Sequence, residues 1–206
     1  MKKTSMFRGD QKSEMILSTL VFIFFTNLFI VLGTNNVEAQ QTTLTQPVLY
    51  GTHDPAMIKQ DNTYYLFATG RGISVASSTD MINWKRESPV FSTPLPWVND
   101  TIVPGNRSLD IWAPDISLHN GTYYIYYSVS AFGKNTSAIG VATNKTLDPA
   151  SPDFKWIDHG PVINSIAGKN DWNAIDPNLI IDEEGKPWLD LGSFWSGIKM
   201  VQLKND

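Results

Sequence analysis

Three aspartates beside prolines are the residues whose type and spacing best suit chemistry. Asp54-Pro55, Pro114-Asp115 and Asp176-Pro177 place a carboxylate every 61 residues. A short apolar run follows each pair, so the pairs are predicted to open successive repeats. Carboxylates held apart around one pocket suit glycoside hydrolysis, because one activates water while another protonates the leaving oxygen. For any single pair the alternative is a plain turn, since Asp caps turns and Pro fixes φ.

The chain from Tyr50 onward repeats a set of short strands. Thr63-Tyr64-Tyr65 and Thr122-Tyr123-Tyr124 lie 59 residues apart, a count that displaces Asp115 by two residues. A third copy begins near Leu179. Four short strands in each repeat of about 60 residues are typical of a β-propeller blade, and no helical periodicity of useful length follows Gln40. The alternative is a non-repeating β-sandwich.

A propeller places the first strand of each blade along a central axis, so the three aspartates would face one shared funnel. Closure needs at least ~4 blades, and the sequence supplies two and most of a third. A repeat array cut within a unit exposes an apolar face and an open strand edge. We therefore expect the chain to be the front part of a longer protein.

Five motifs resemble those of glycoside hydrolase family 43, in the same order, over about residues 50–203. They are His53-Asp54-Pro55, Trp112-Ala113-Pro114-Asp115, Ser130-Ala131-Phe132-Gly133, the run Asn173–Pro177 and the run Gly192–Ile198. Within the family they most resemble the endo-1,5-α-L-arabinanases. The resemblance implies an all-β, five-bladed β-propeller, truncated to about two and a half to three blades over residues 50–206. It also implies inverting cleavage of α-1,5-linked L-arabinofuranosyl bonds in arabinan, a polysaccharide of pectin side chains.

The resemblance implies roles for individual residues. Asp54 matches the general base that activates water, and Asp176 matches the carboxylate that holds the general acid and raises its pKa by like-charge repulsion. Trp112 and Phe132 match aromatic walls of the sugar subsites, and His53 lines the sugar site or orients Asp54. The other residues predicted to bind substrate are Asp115, Gly133, Asn173, Ala174, Ile175, Ser193, Phe194 and Trp195.

The general acid is the part of the family pattern that this sequence lacks. The resemblance implies a Glu on the fourth blade, downstream of Leu203. After residue 39 the sequence holds three Glu, of which Glu87 lies at an outer strand end and Glu183 and Glu184 lie in a hairpin turn. We therefore expect the chain alone to be inactive or nearly so. The resemblance also implies calcium on the axis of the full-length protein, bound through a His of a later blade, and no cofactor or metal in this fragment.

Two other functions stay open on these residues. An exo-acting arabinofuranosidase or β-xylosidase of the same fold would use the same carboxylates in a blocked pocket. A non-catalytic carbohydrate-binding propeller would keep the aromatic walls and need no carboxylates. The presence of both Asp54 and Asp176 favours an enzyme, whereas the absence of the acid favours a binding protein.

The composition excludes several classes of function. The 206 residues carry a formal net charge of −4 with a pI of about 5.3, and no basic run suits the phosphates of nucleic acid. The absence of Cys excludes disulfides, thiolate metal sites and cysteine nucleophiles. Aromatic residues make up 12%, and aromatic faces pack against sugar C–H groups while carboxylates accept sugar hydroxyls. We therefore expect a polysaccharide partner and no nucleic acid.

The first forty residues are predicted to be a separate segment. Four basic residues between Lys2 and Lys12 precede an apolar run over residues 15–32, and Val37-Glu38-Ala39 offers small residues at −3 and −1. This order is typical of a secretory signal, and an uncleaved membrane anchor is the alternative. We expect a signal peptide at 1–39, a linker at 40–49 and a secreted protein, extracellular or periplasmic. The mature protein is expected to be a monomer with no membrane association.

Overall fold

The computed structural model describes residues 52–99, 101–107 and 109–204, and these residues form antiparallel β-sheets. In chain order the strands are β1 (Ala56–Gln60), β2 (Thr63–Ala68), β3 (Gly70–Arg71), β4 (Ser74–Ser78), β5 (Lys85–Arg86), β6 (Asp110–His119), β7 (Thr122–Val129), β8 (Ser137–Asn144), β9 (Ile157–Ser165), β10 (Asn178–Ile181), β11 (Pro187–Leu191) and β12 (Lys199–Gln202). The predicted all-β class is confirmed. Within these ranges there is no helix long and apolar enough to cross a membrane. The predicted signal peptide (1–39) and linker (40–49) lie outside the described residues.

The strands form three sheets that follow the order of the chain. The first sheet has the strand order β1-β2-β4-β5, the second β3-β6-β7-β8-β9 and the third β10-β11-β12. Most neighbours in a sheet are also neighbours in sequence, as hairpin connections require. The two-residue strand β3 is the exception, because it follows β2 in the chain but pairs with β6. This pairing ties the segment between β2 and β4 to the second sheet.

The tight turns follow from residues that tolerate a left-handed backbone. Asn120 and Gly121 have φ values of 48° and 70°, as a two-residue hairpin turn requires, and they place His119 opposite Thr122. Asp61, with a φ of 52°, occupies the corresponding turn between β1 and β2. These turns close the β1–β2 and β6–β7 hairpins.

Two buried clusters pack the sheets against each other. The larger one includes Phe67 of β2 and Tyr127 of β7, and joins the first sheet to the second. Gly140 of β8 lies against the Tyr127 ring, where an added Cβ would approach the ring to 2.5 Å. The smaller cluster joins Tyr126 of the second sheet to Leu189 of the third. The second sheet is therefore packed on both neighbours.

Candidate active site

A cavity of about 620 Å³ opens where strand ends from all three sheets meet. Its lining residues are His53, Asp54, Thr69, Trp112, Ser130, Ala131, Phe132, Gly133, Lys134, Asn173, Ile175, Asp176, Ser193, Phe194 and Trp195. They lie either at or just before the start of β1, β6 and β10, or just after the end of β2, β7 and β11. Each of the three sheets therefore lines the cavity with residues near the start of one strand and with residues that follow the end of another. Both aspartates that were predicted to be catalytic face this cavity.

Asp54 and Asp176 occupy equivalent positions in their sheets. Asp54 lies two residues before Ala56, which pairs with β2, and Asp176 lies two residues before Asn178, which pairs with β11. Both have a left-handed backbone, with φ values of 47° and 55°. Such a conformation costs a non-glycine residue about 1–2 kcal/mol, and strain of this kind is concentrated at functional sites. The same turn thus presents a carboxylate to the cavity from two different sheets.

The second sheet has Ala113 at this position. Asp115 pairs with Tyr126 as Ala56 pairs with Phe67, so the residue two positions earlier in the second sheet is Ala113. Its φ of 38° repeats the left-handed turn. The structural repeat is therefore the 59-residue spacing of the tyrosines rather than the 61-residue spacing of the aspartates.

Asp115, which was predicted to bind substrate, is not among the residues that line the cavity. It lies inside β6, because that strand already begins at Asp110, and its Oδ2 accepts the backbone N–H of Leu179 at 2.8 Å. Burial raises the pKa of Asp115, the hydrogen bond from Leu179 opposes this shift, and the charge of Asp190 adds to it. The carboxylate thus joins the second sheet to the third.

Two hydroxyl side chains that the sequence did not single out fix the left-handed turns. Thr69 Oγ1 donates to Asp54 Oδ2 at 2.7 Å and accepts the N–H of Ala113 at 2.8 Å. Ser128 Oγ accepts the N–H of Asp176 at 2.9 Å. Thr69 and Ser128 are 59 residues apart, so the tyrosine repeat is the signal that identifies them as a pair. Each hydroxyl holds the left-handed residue of the following sheet.

The carboxylate of Asp54 is oriented by two donors. Its Oδ2 lies 2.7 Å from both Thr69 Oγ1 and His53 Nδ1. The N–H of Thr69 also donates to the carbonyl of His53 at 3.0 Å, which fixes the backbone beside the carboxylate. The Asp54 side chain remains 38% exposed, so it is open to water. An oriented carboxylate in contact with water has the position that a general base requires.

The surroundings of Asp176 favour its neutral form more than water does. Partial burial raises the pKa of Asp176, and the negative charge of Asp54 raises it further. A hydrogen bond from Ser193 and the charge of His53 oppose the shift. The two carboxylates therefore interact electrostatically. Paired acidic groups whose surroundings differ are a common basis for separate roles in proton transfer.

Exposed aromatic rings surround the cavity. Phe132 is 97% exposed, Phe194 85% and Trp195 48%, although large apolar side chains are usually buried. Phe194 and Trp195 have consecutive left-handed backbones, with φ values of 56° and 41°, so the turn after β11 is strained. Rings presented in this way suit stacking against a ligand with an apolar face, such as a sugar.

Asn173 shapes the cavity through contacts within the protein. It is buried, its Oδ1 accepts the hydroxyl of Ser137 at 2.6 Å, and its Nδ2 donates to the carbonyl of Lys134 at 3.2 Å. These bonds hold the loop that carries Phe132 against the segment before β10. Ala174, the next residue, is fully buried and is not among the lining residues.

Three further residues line the cavity without having been predicted as site residues: Ser130, Ala131 and Lys134. Ser130 and Ala131 belong to the same motif as Phe132, and Lys134 follows it directly. Their membership of one short loop is the signal that could have identified them.

A metal site is not complete in the part of the chain that the structure describes. No three His, Asp or Glu side chains in these ranges are grouped so that they could hold an ion. The ring of His53 instead bonds the carboxylate of Asp54. The described residues therefore do not form the calcium site implied for a full-length protein, and that site stays a prediction.

Comparison with known protein families identifies the family of this chain. The profile of glycosyl hydrolases family 43 matches residues 44–206. The chain belongs to glycosyl hydrolase family 43. The match includes all three sheets and every residue of the cavity, and it confirms the family predicted from the five motifs.

Relatives in this family share about half of their own length with the chain. The extracellular exo-α-(1→5)-L-arabinofuranosidase ArbA of Cellvibrio japonicus is 51% identical over 156 residues, which cover 75% of this chain and 44% of that protein. The extracellular endo-α-(1→5)-L-arabinanase 1 of Bacillus subtilis is 47% identical over 155 residues, which cover 73% and 46%. The structure of a Cellvibrio cellulosa α-L-arabinanase complexed with arabinohexaose matches with a TM-score of 0.72 at 50% identity, and the match covers 74% of this chain and 48% of that one.

Proposed function

We propose that this family 43 protein cleaves α-1,5-linked L-arabinofuranosyl bonds in arabinan with inversion of configuration. The observation that carries the proposal is the pair of carboxylates, Asp54 and Asp176, on one cavity edged by exposed aromatic rings. The relatives add support, since they are named an arabinofuranosidase and two arabinanases, one of them complexed with arabinohexaose. A neutral sugar offers an apolar ring face to aromatic side chains and hydroxyls to carboxylates.

Asp54 acts as the general base in this proposal. An inverting base removes a proton from a water molecule, which attacks the anomeric carbon on the face opposite the leaving oxygen. The hydrogen bonds from His53 and Thr69 fix the direction of the carboxylate while its side chain stays open to water. A fixed direction contributes to rate because less orientational freedom is lost on reaching the transition state.

Asp176 acts on the general acid rather than on water. Its carboxylate, when ionised, repels a second negative charge and so raises the pKa of a neighbouring acid. That acid must stand ~6.5–9.5 Å from the base, to leave room for the water. Among the described residues, the carboxylates that line the cavity are Asp54 and Asp176. We therefore propose that the acid is the Glu expected on a fourth blade, and that the chain as printed hydrolyses arabinan slowly or not at all.

The three sheets are proposed to be successive blades of a five-bladed propeller, of which this chain supplies two and a half to three. The left-handed residues 54, 113 and 176 and the hydroxyls of residues 69 and 128 recur at intervals near 60, as blades do. The TM-score of 0.72 with the α-L-arabinanase supports this arrangement. We further propose secretion, because both curated relatives are named extracellular, and a monomer, because the cavity is formed within one chain.

Exo action is the second candidate. It is favoured by the name of the 51% identical relative, an exo-α-(1→5)-L-arabinofuranosidase. Endo action is favoured by the name of the 47% identical one. The two differ in products, because an endo enzyme shortens the polymer at once, whereas an exo enzyme releases short sugars from its ends.

Binding and turnover test the proposal separately. Calorimetric titration of the chain with α-1,5-arabinotriose, and with β-1,4-xylotriose as a control, should show binding of arabinotriose alone. Absent binding, or equal binding of both sugars, would contradict the substrate assignment. Reducing-sugar release from debranched arabinan should stay near background. Activity comparable to that of the Bacillus subtilis relative would contradict the argument that the acid is missing.

A chimera distinguishes an enzyme from a binding protein. Residues 40–206, joined to the remaining half of the Bacillus subtilis relative, would gain the proposed acid and should hydrolyse arabinan. Asp54→Asn in the chimera should lower the rate by about 10²–10⁴-fold and leave arabinotriose binding in place, because general base catalysis contributes on that scale. A chimera that binds arabinotriose without hydrolysing arabinan would favour a non-catalytic sugar-binding role. Rapid loss of viscosity would identify endo action.

A further inference from the structure

A second cavity lies between the first and second sheets, and the proposed mechanism does not use it. Its volume is about 190 Å³. Four aromatic side chains line it together with a carboxylate and a hydroxyl: Tyr65, Phe67, Phe154, Trp156, Glu87 and Ser88. Part of the wall comes from β2, and part comes from the segment that connects β8 to β9.

The second cavity shares no lining residue with the catalytic one. Ser137 begins β8 and lies 2.7 Å, hydroxyl to hydroxyl, from Ser130 of the catalytic cavity. The segment that carries Phe154 and Trp156 follows the other end of β8, at Asn144. An eight-residue strand such as β8 spans roughly 25 Å. Along β2 the cavities are closer, since Phe67 of the second cavity is two residues from Thr69 of the catalytic one. The two cavities are therefore distinct sites that are adjacent along β2 and diverge along β8.

The indole of Trp156 forms part of the wall of the second cavity. Three other indole N–H groups donate to acceptors within the protein, those of Trp84, Trp97 and Trp188. Across residues 52–99, 101–107 and 109–204, the other four indole N–H groups have no such partner: those of Trp112, Trp156, Trp172 and Trp195. Of these four, Trp156 lines the second cavity. The Trp156 ring packs edge-on against Phe67, with centroids 6.0 Å apart, which fixes its orientation.

The carboxylate of Glu87 supplies an acceptor in the same wall. Its side chain is 12% exposed, and its Oε1 accepts the hydroxyl of Ser77 at 2.7 Å and lies 3.1 Å from Lys85 Nζ. Lys85 offsets the charge, while a carboxylate retains lone pairs for a further donor. Burial, and then the charges of Asp148 and Glu87, raise the pKa of Tyr65, so its hydroxyl stays protonated.

We propose that this cavity binds a single sugar ring, an arabinofuranosyl unit of an arabinan chain, outside the catalytic cavity. The volume corresponds to ~6 water molecules, at about 30 Å³ each, which suits one pentose ring. A purely apolar ligand would leave the N–H of Trp156 without an acceptor and the remaining lone pairs of Glu87 without a further donor, which is unfavourable in a partly buried wall. A cation is disfavoured because Lys85 already pairs with Glu87. A neutral ring with one apolar face and several hydroxyls satisfies both residues.

Two sites on one chain would let a polymer bind through both. When one arabinan segment occupies the second cavity, another segment of the same polymer is held at a raised effective concentration near the catalytic cavity. The choice of arabinose as the sugar rests on the proposed function, whereas the cavity, its rings and its polar groups do not.

Fluorine NMR of the chain labelled with 5-fluorotryptophan tests this site directly. The sequence has seven Trp, and the variants Trp112→Phe and Trp156→Phe assign the two resonances of interest. Titration with α-1,5-arabinotriose should shift both, each with its own saturation curve. Glu87→Gln should raise the dissociation constant obtained from the Trp156 resonance about tenfold and leave that from the Trp112 resonance unchanged. The substitution keeps the shape of the side chain but replaces a charged acceptor by a neutral amide. Glu183→Gln, in an exposed turn, should change neither.

The outcomes separate this site from the proposed function. A static Trp156 resonance beside a shifting Trp112 resonance overturns the second site and leaves the catalytic assignment standing. A shifting Trp156 resonance beside a static Trp112 resonance supports the second site and contradicts the catalytic assignment. A Trp156 curve that neither Glu87→Gln nor Phe154→Leu weakens overturns the proposed location. An equal response to β-1,4-xylotriose overturns the choice of arabinose.

Discussion

The catalytic cavity and the packed interface around Tyr127 share the strand β7, yet they treat aromatic residues in opposite ways. Tyr127 is fully buried, its hydroxyl donates to Asp158 at 2.6 Å, and the indole of Trp97 donates to the same carboxylate at 3.0 Å. Phe132, five residues further along the chain, is 97% exposed. The hydroxyl of Tyr127 and the indole of Trp97 are therefore satisfied within the protein, whereas the cavity leaves rings and carboxylates open to solvent. Stability is therefore expected to depend on the interface and ligand binding on the cavity.

Truncating a ring should separate the two regions most clearly. Tyr127→Ala should lower the free energy of unfolding by about 3–5 kcal/mol, because it empties a buried site. Tyr127→Phe should lower it by about 1–3 kcal/mol, because Asp158 loses a donor. Phe132→Ala should change it by less than about 0.5 kcal/mol. Urea denaturation measures all three, and similar losses for Tyr127→Phe and Phe132→Ala would contradict the division.

The hydroxyl of Ser128 should matter to both regions, because it lies in the packed sheet and holds Asp176 at the cavity. Ser128→Ala removes the acceptor for the Asp176 N–H and should lower the free energy of unfolding by about 1–3 kcal/mol. Ser92→Ala, at an exposed position, serves as the matched control and should cost less than about 0.5 kcal/mol. Thermal unfolding of the two variants gives the comparison. An equal effect would mean that the hydroxyl does not anchor the turn.

Ligand binding should show the reverse pattern. Phe132→Ala should weaken arabinotriose binding about tenfold, since a stacked aromatic contact contributes roughly 0.5–1.5 kcal/mol. Tyr127→Phe should leave the dissociation constant unchanged, because its ring faces the core. Calorimetric titration of both variants with arabinotriose at one temperature measures the two dissociation constants. A binding loss in Tyr127→Phe that exceeds the loss in Phe132→Ala runs against the account.

The smallest effect concerns the charge of Asp176. Its pKa is raised in the folded state, so the folded protein binds more protons than the unfolded one between the two pKa values, and it loses stability as pH rises through that interval. Asp176→Asn should therefore be more stable than the parent at pH 7, by less than about 1 kcal/mol because the carboxyl is open to the cavity. The difference should vanish below the ordinary aspartate pKa of 3.8. Because Asn also tolerates the left-handed backbone of residue 176, the substitution should not add backbone strain.

The sequence predicted those features that depend on local chemistry or on the family motifs. Asp61 and the pair Asn120-Gly121 identify hairpin turns because few residues accept a left-handed backbone. The two aspartates that share the cavity were expected from their place before a strand. These features could be predicted because each is encoded within a few consecutive residues.

The remaining features depend on contacts between distant parts of the chain. Asp115 differs from Asp54 in its position relative to its strand. The strand β6 begins at Asp110, before Asp115, whereas β1 begins at Ala56, after Asp54. Where a strand begins is set by its pairing with other strands. Thr69 reaches Ala113 across 44 residues, and Ser128 reaches Asp176 across 48. Neither hydroxyl can be distinguished from other Ser and Thr side chains of the sequence until the sheets are packed together. The 59-residue spacing of the tyrosine pairs relates Thr69 to Ser128, whereas the 61-residue spacing of the Asp-Pro pairs does not.

A crystal structure of the chain with α-1,5-arabinotriose tests the central claim most directly. The account predicts a furanose ring in the cavity between Asp54 and Asp176, with an aromatic face of Trp112 or Phe132 against it. Sugar bound only outside this cavity, or carboxylates of Asp54 and Asp176 directed to separate surfaces, would contradict the account.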